Sequence, residues 1–365
     1  MTPAGDGPRA ASTTGNGPAW AWWGGAALPV VERSGDRGGK LMHTRAALAA
    51  AAGVTLVLLG FGLAGCAGDS SPLPPRVGGP SASAPTAGPA APGAVDTSCN
   101  PRASLRPSGA LPAPGKMPAA SKMAEIQKRG RLILGTSQDT LLFSSRNPFT
   151  GKVEGFDVDM ARQIAQAVFG DPDKIQIKVI GYDKRVSSVV DGSVDIVADT
   201  MTANCARWKD VDFSTIYYNA GQKVLVNSTS KATSINDLGG RKVCAASGST
   251  SYDNIAKVPA KPIAVAKPAF GDCLVAFQQN EVDAISTDDT ILAGMAAQDP
   301  YAKVVGPAFT DEPYGMAISK KSPEFTRFVN AVLARNEANG TWTSTYKRWL
   351  GAFGAPPQPP KAEYQ

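Results

Sequence analysis

Thr200, Thr202, Asn204 and Arg207 bring two hydroxyls, an amide and a guanidinium together within eight residues. They follow a short apolar run, Val194 to Val197, that reads as a buried strand. A guanidinium is a planar fork of donors that matches a carboxylate, and neighbouring hydroxyls and amides add further donors. The segment from Ala198 to Ser214 therefore reads as the holder of a small anion, most simply a carboxylate. The alternative is a polar loop whose arginine pairs with a surface acid, an arrangement that contributes little. The surrounding elements decide between the two.

Several other chemistries are excluded. The only histidine is His43, ahead of the globular region. His-dependent triads and His-ligated metal sites are thus absent from that region, and neither metal nor cofactor is expected. The chain contains no G-x-x-x-x-G-K-[ST] or G-x-S-x-G, and no G-x-G-x-x-G from residue 121 onward. Ser228 and Lys231 form an S-x-x-K in a polar loop, without the companion motifs that would give it meaning. Net charge is +6, but Arg9, Arg33, Arg37, Lys40 and Arg45 crowd the N-terminus. No basic stripe is interleaved with aromatics, so nucleic acid is not an expected partner.

The N-terminal part reads as a leader. Met42-His-Thr-Arg45 precedes an apolar run from Ala46 that ends Leu63-Ala-Gly-Cys66. A basic start, an apolar stretch and a small-residue cleavage site make a secretory signal. The ending resembles a bacterial lipobox, which implies lipidation of Cys66 as the first mature residue. The same run is borderline for one membrane-spanning helix, the competing reading. Residues 1–65 are thus the signal region, with Met42 the expected true start. Residues 66–120, rich in Pro, Ala, Gly and Ser, read as an extended tether. Cys99 within it hints that its end is pinned to the domain.

From about residue 121 the pattern alternates. Arg131–Gly135 reads as a strand, and apolar residues at Met160, Ala161, Ile164, Ala165 and Val168 mark one face of a helix stopped by Gly170. Ile175–Ile180 is a strand, Tyr182–Val190 a helix and Val194–Val197 a strand. Strands alternating with helices imply a parallel sheet with right-handed crossovers, in which ligands sit at the carboxyl ends of the strands. The Thr200–Arg207 segment lies at such an end. Tyr217–Val226 reads as a long strand, after which the pattern restarts: strands at Lys242–Ala246, Ile263–Ala266 and Val282–Ser286, with helices between them. A return strand, Tyr314–Ser319, leads to amphipathic helices at about Pro323–Ala338 and Thr341–Trp349. The expected fold is α/β and two-lobed. Each lobe is a parallel-type sheet flanked by helices, and two crossing strands join them. Lobe 1 takes 121–222 and 315–354, lobe 2 takes 223–314, and 355–365 is a disordered tail.

The motif Gly155-Phe-Asp-Val-Asp-Met160 with Ile164, Ala165 and Val168 resembles the signature of the bacterial extracellular solute-binding proteins, family 3, which have a periplasmic-binding-protein-like fold. The resemblance continues through Arg185, Gly192 and Asp195, the Thr-x-Thr segment before Arg207, Asp212-Phe-Ser, Asp237-Leu-Gly-Gly, Ser247-Gly-Ser-Thr, Val282-Asp-Ala and Asp288. It spans about Lys122 to Ala352 and is similar to the actinobacterial glutamate/glutamine-binding lipoprotein subgroup. It implies that Arg207 takes a ligand α-carboxylate, with Thr200, Thr202 and Asn204 beside it. Backbone amides of Ser249 and Thr250 complete the anion site from lobe 2, and Asp288 takes the α-ammonium. A helix N-cap is the alternative role for Asp288, and a core aromatic the alternative for Phe143, which otherwise packs on the ligand carbons. Arg185, Arg146 and Lys184 are the basic candidates for the ligand side chain. The early strand-loop offers Ser137, Gln138 and Asp139 where the subgroup commonly has a basic residue. Ligand choice therefore stays among glutamate, aspartate, asparagine and glutamine, with glutamate leading.

Cys99, Cys205, Cys244 and Cys273 remain besides Cys66. In an exported protein an even number favours disulfides. Three pairings are possible, and free thiols are the alternative. Cys244 and Cys273 fall in the same lobe and are the expected pair, which leaves Cys99 with Cys205. The expected function is a monomeric, lipid-anchored extracytoplasmic receptor, held at the outer face of the cell membrane, that delivers an amino acid to the permease of an ABC importer. The alternatives are a sensor signalling through a transmembrane partner to a kinase, and a dehydratase-like enzyme on the same scaffold. Retained Arg207 and Asp288 and the lack of histidine speak against the enzyme.

Overall fold

The computed structural model describes residues 99–365. The leader, Cys66 and the tether up to residue 98 lie outside the described residues. Among the described residues no helix is long and apolar enough to cross a membrane.

After α1 (Lys122–Arg129), β1 (Leu132–Thr136) enters the first sheet. Then come α2 (Phe156–Phe169), β2 (Ile175–Val179), α3 (Arg185–Val190), β3 (Ile196–Val197), the short α4 (Cys205–Trp208) and β4 (Val211–Phe213). The chain crosses out on β5 (Tyr218–Ala220). The second lobe holds β6 (Gln222–Asn227), β7 (Lys242–Ala246), α5 (Thr250–Ile255), β8 (Ile263–Lys267), α6 (Phe270–Gln278), β9 (Ala284–Asp288), α7 (Asp289–Gln298) and β10 (Ala302–Val305). It returns on β11 (Glu312–Tyr314), adds β12 (Ala317–Ser319) to the first sheet, and continues in α8 (Pro323–Ala338) and α9 (Thr341–Leu350).

The sheet orders are β2-β1-β3-β12-β4 and β8-β7-β9-β6-β10. In each, four strands run one way and a single strand, β12 in the first sheet and β6 in the second, runs antiparallel to them. The sheets are therefore mixed: the strand arriving from the opposite lobe enters against the grain. β5 and β11 pair antiparallel as a separate ribbon between the lobes. The expected long strand 217–226 is broken at Gly221, where a Cβ would stand 2.5 Å from that of Ala308.

In lobe 1 the apolar face of α2 (Phe156, Met160, Ile164, Val168) packs against α8 and α9 through Phe325, Val329, Val332 and Trp342. Apolar residues at this spacing share one side of a helix and leave water together. The Trp342 indole donates to Tyr217 O at 2.8 Å, fixing the ribbon's entry. A second apolar cluster (Val189, Val194, Val197, Val211, Phe213) covers the opposite side of the sheet. Lobe 2 has its own core, which includes Val224, Leu225, Ile285 and Leu292.

Two expectations about the ends are corrected. The tail is ordered: Glu363–Tyr364 pairs in parallel with Ala103–Ser104, and Gln365 N donates to Ser104 O at 2.9 Å. The Arg106 guanidinium stands 4.7 Å from the centre of the Tyr364 ring. Nor is the last part of 66–120 a free tether. Residues from Cys99 onward lie on lobe 1, where Ser104 donates to Phe213 O at 2.6 Å and Asn330 donates to Leu105 O at 2.7 Å. Buried backbone groups here find partners, which proline-rich composition alone does not reveal.

Candidate ligand-binding site

The site loop starts where β3 ends. Thr200 takes a left-handed conformation, φ 44°, uncommon for a β-branched residue. Its N–H donates to Asp157 Oδ2 at 2.6 Å, and Tyr217 Oη donates to Asp157 Oδ1 at 2.7 Å. Asp157 lies in the first turn of α2, where a negative charge is favoured. Burial pushes its carboxyl up to about 7, against these two hydrogen bonds. The turn into α2 needs Gly155: φ is 147°, and a Cβ would overlap Phe143 O at 2.1 Å.

Thr202 bridges to Tyr314, and Ala203 N donates to Pro313 O at 2.8 Å, so the loop is bound to the returning strand. Asn204 caps α4, its Oδ1 accepting Arg207 N at 2.9 Å. The expected ligand donor thus has its oxygen engaged as a helix cap. The Cys99–Cys205 disulfide, with Cα atoms 5.8 Å apart, holds this helix to the N-terminal segment, and Trp208 Nε1 donates to Pro101 O at 3.0 Å. Cys244 and Cys273 are joined within lobe 2.

Arg207 donates through Nη1 to Thr202 O at 2.7 Å and through Nη2 to Gly248 O at 3.2 Å. Arg185 is buried. Its Nε donates to Tyr182 O, its Nη1 to Asp199 O and its Nη2 to the same Gly248 O, at 3.0, 3.0 and 3.2 Å. Two guanidiniums thus converge on one neutral carbonyl across the cleft, and no carboxylate pairs with either among the described residues. Burial and the neighbouring Arg185 push Arg207 down to about 9, opposed by Glu312 and Asp288. Gly248 permits the approach: its φ is 74°, and a Cβ would stand 2.6 Å from Asp183 Cα.

Lobe 2 supplies the facing groups. Ser249 caps α5, accepting Tyr252 N at 3.2 Å, but its own N–H donates to Ala246 O. Its expected backbone role toward an anion is therefore corrected: that amide closes a turn. Thr250 lies beside the first-lobe loop, its hydroxyl 3.4 Å from that of Thr202. Asp288, 3% exposed, ends β9 at the N-cap position of α7 without capping it. Its Oδ2 accepts Tyr314 Oη at 2.6 Å, and its Oδ1 is buried without a partner. Burial, then repulsion from Glu312, pushes its carboxyl well above the usual range. Asp199 Oδ2 and Thr200 Oγ1 are also buried and unpartnered. Unpaired buried oxygens are costly, so each of these calls for a donor.

Phe143 does not join this group. It is fully buried, edge-on to Phe156, Tyr218 and Tyr314, and belongs to the lobe 1 core. Arg146 is turned to Gln138 Oε1 and Gly151 O on the exposed side, and Lys184 pairs with Asp183. Sequence reading missed Asp199, Asp157, Tyr314 and Glu312. Asp157 lies inside the quoted Gly155–Met160 motif and could have been weighed. Asp199 adjoins Thr200, whereas Tyr314 and Glu312 are more than a hundred residues away along the chain and only the fold brings them in.

Residues 132–352 match the family described as bacterial extracellular solute-binding proteins, family 3. The chain is similar to the ABC transporter glutamine-binding protein GlnH of Bacillus subtilis, 37% identical over 228 residues, covering 62% of this chain and 84% of that protein. It is similar to the glutamate-binding protein GluB of Corynebacterium glutamicum, 30% identical over 236 residues, 61% of this chain and 80% of that one. Among solved structures, an ancestral arginine-binding protein bound to glutamine is 32% identical with a TM-score of 0.57, covering 61% of this chain and 99% of that one. With the signature motifs, the two-lobed fold and a family match over more than half of its length, this chain belongs to the bacterial extracellular solute-binding proteins, family 3.

Proposed function

We propose that this chain is an extracytoplasmic, lipid-anchored receptor that captures a polar amino acid between its lobes and delivers it to the permease of an ABC importer. The observation that carries the reading is the pairing of opposite demands in one cleft. Arg185 and Arg207 converge on a single carbonyl, and Asp288 holds a buried oxygen with no donor. An α-amino acid answers both, its carboxylate to Arg207 and its ammonium to Asp288. Charge-assisted bonds of this kind contribute roughly 1.5–3 kcal/mol each. Thr202 and Thr250 bring the two lobes together beside the carboxylate. Asp199 and Thr200 lie where further ligand donors are received, and Arg185 supports the anion end from within lobe 1.

The ligand class is glutamate and its close relatives aspartate, asparagine and glutamine. Relatives named for glutamine are 37% and 40% identical, and one named for glutamate is 30% identical. Lipidation at Cys66 and the tether after it would hold the domain clear of the membrane. Ligand stabilises the closed form because each lobe supplies only part of its contacts.

A thermal-shift screen of the twenty amino acids tests the reading. Saturation at a hundred times Kd adds about 2.7 kcal/mol, so members of this class should raise the melting temperature and others should not. No shift with any amino acid would refute it.

A further inference from the structure

Glu312 begins β11, the strand that carries the chain back from lobe 2. Its side chain is only 2% exposed, and it forms no ion pair among the described residues. Four neutral donors surround it instead. Thr202 Oγ1 and Thr250 Oγ1 donate to Oε2 at 2.6 and 2.9 Å. Asn254 Nδ2 and Thr310 Oγ1 donate to Oε1 at 3.0 and 2.7 Å. A carboxylate offers acceptors only, with room for about four hydrogen bonds, so no other side chain of this size satisfies such a set.

The donors come from different bodies. Thr202 is on the first-lobe ligand loop, Thr250 and Asn254 are on α5 of the second lobe, and Thr310 is on the crossing segment. Thr202 is also bridged to Tyr314, and Ala203 to Pro313, through the backbone. Glu312 therefore stays with lobe 1 when the lobes part, and the bonds to Thr250 and Asn254 are the ones that opening breaks. Asn254 also donates to Gln222 Oε1 at 2.9 Å, and Gln222 Nε2 donates to Ser286 Oγ at 2.9 Å. The hold on α5 is thus passed into the second sheet. A cleft of about 890 Å³, lined by Thr202, Asn204, Thr250, Asn254 and Glu312, lies along this seam.

We propose that Glu312 is the closure latch of the receptor: a positioning residue on the hinge strand that draws α5 onto the ligand loop without touching ligand itself. Its effect falls on how long the closed form lasts. Capture by open lobes is untouched, while release requires the latch to break. The ligand readout rests on the receptor reading above; the lobe-distance readout does not.

The test compares the full chain with Glu312→Ala and Glu312→Gln. Stopped-flow binding of L-glutamate and L-glutamine is combined with spin-label distances between Asp173→Cys on lobe 1 and Lys257→Cys on lobe 2. Losing hydrogen bonds to a charged acceptor should raise koff by about tenfold or more and change kon little. Glu312→Gln should fall between, and the Ala variant should shift to longer lobe distances. A general structural defect would lower the active fraction instead of splitting koff from kon. Should Glu312→Ala fail to fold, Asn254→Ala removes the latch from the other side and should also raise koff. Unchanged koff and lobe distance in a folded variant overturn the latch. If neither amino acid binds the wild type, the distance shift alone decides on the latch.

Discussion

Asp157 illustrates how much of the site depends on one residue behind it. It holds Thr200 N–H and the Tyr217 hydroxyl, and so fixes the strained first residue of the ligand loop. With its carboxyl pushed up to about 7 by burial, the folded chain keeps a proton that the unfolded chain gives up near pH 4. Between those values the folded state binds more protons, so stability falls as pH rises, by up to about 1.4 kcal/mol per pH unit. Asp157→Asn keeps both hydrogen bonds if the Tyr217 hydroxyl turns to accept, and it removes the titration. In urea unfolding at pH 5 and pH 8, wild type should lose stability relative to Asp157→Asn; parallel profiles would contradict this. The candidate site was half legible at this scale. Arg207 and Thr202 could be singled out because their types suit an anion, whereas Asp288 was singled out by the family resemblance alone. Phe143 could not be separated from the core, since an aromatic has the same sequence appearance in either place. Asn204 and Ser249 have the chemistry of ligand donors and of helix caps alike, and only geometry shows their capping bonds.

At the scale of elements, the segment Cys99–Arg106 ties the start of the domain to the site. The disulfide joins it to α4, and Arg102 makes a two-point contact with Asp311 at 2.8 and 2.6 Å and a bond to Asn219 at 2.9 Å. Both of those residues lie at the crossing strands. Replacing Cys99 and Cys205 together by serine should lower unfolding stability by about 2–4 kcal/mol and speed amide hydrogen exchange in residues 99–106. Exchange as slow as in the wild type would show that the hydrogen bonds suffice without the bridge. The long helices were readable because periodicity and caps coincide: Pro323 opens α8, and Gly170 closes α2 in a left-handed conformation. The break of the 217–226 strand at Gly221 was not, because alternation along one strand says nothing about which sheet each half joins. The pairing of Glu363–Tyr364 was hidden for the same reason, its partner lying at the other end of the domain.

For the molecule as a whole, the lobes meet at several points besides Glu312. Asp139 Oδ2 accepts Gly271 N at 2.7 Å, and the Tyr182 and Phe270 rings stand edge to face at 4.9 Å. These contacts are few and partly polar, as a reversible interface requires. Strand and helix order made the two-lobed plan legible, because restarting an α/β pattern after one long strand has few spatial solutions. That the Thr200–Arg207 loop faces Ser249–Thr250 followed from the family resemblance, whereas contacts such as Asp139–Gly271 have no local pattern and were not legible. The central claim is that a single amino acid joins the lobes through Arg207 and Asp288. Calorimetric titration of glutamate, glutamine, aspartate and asparagine into wild type, Arg207→Ala and Asp288→Asn tests it most directly. The account predicts binding of at least one of the four to wild type at roughly micromolar Kd, about −8 kcal/mol, with no measurable binding to Arg207→Ala and at least tenfold weaker binding to Asp288→Asn. Wild-type affinity in a folded Arg207→Ala variant would contradict it.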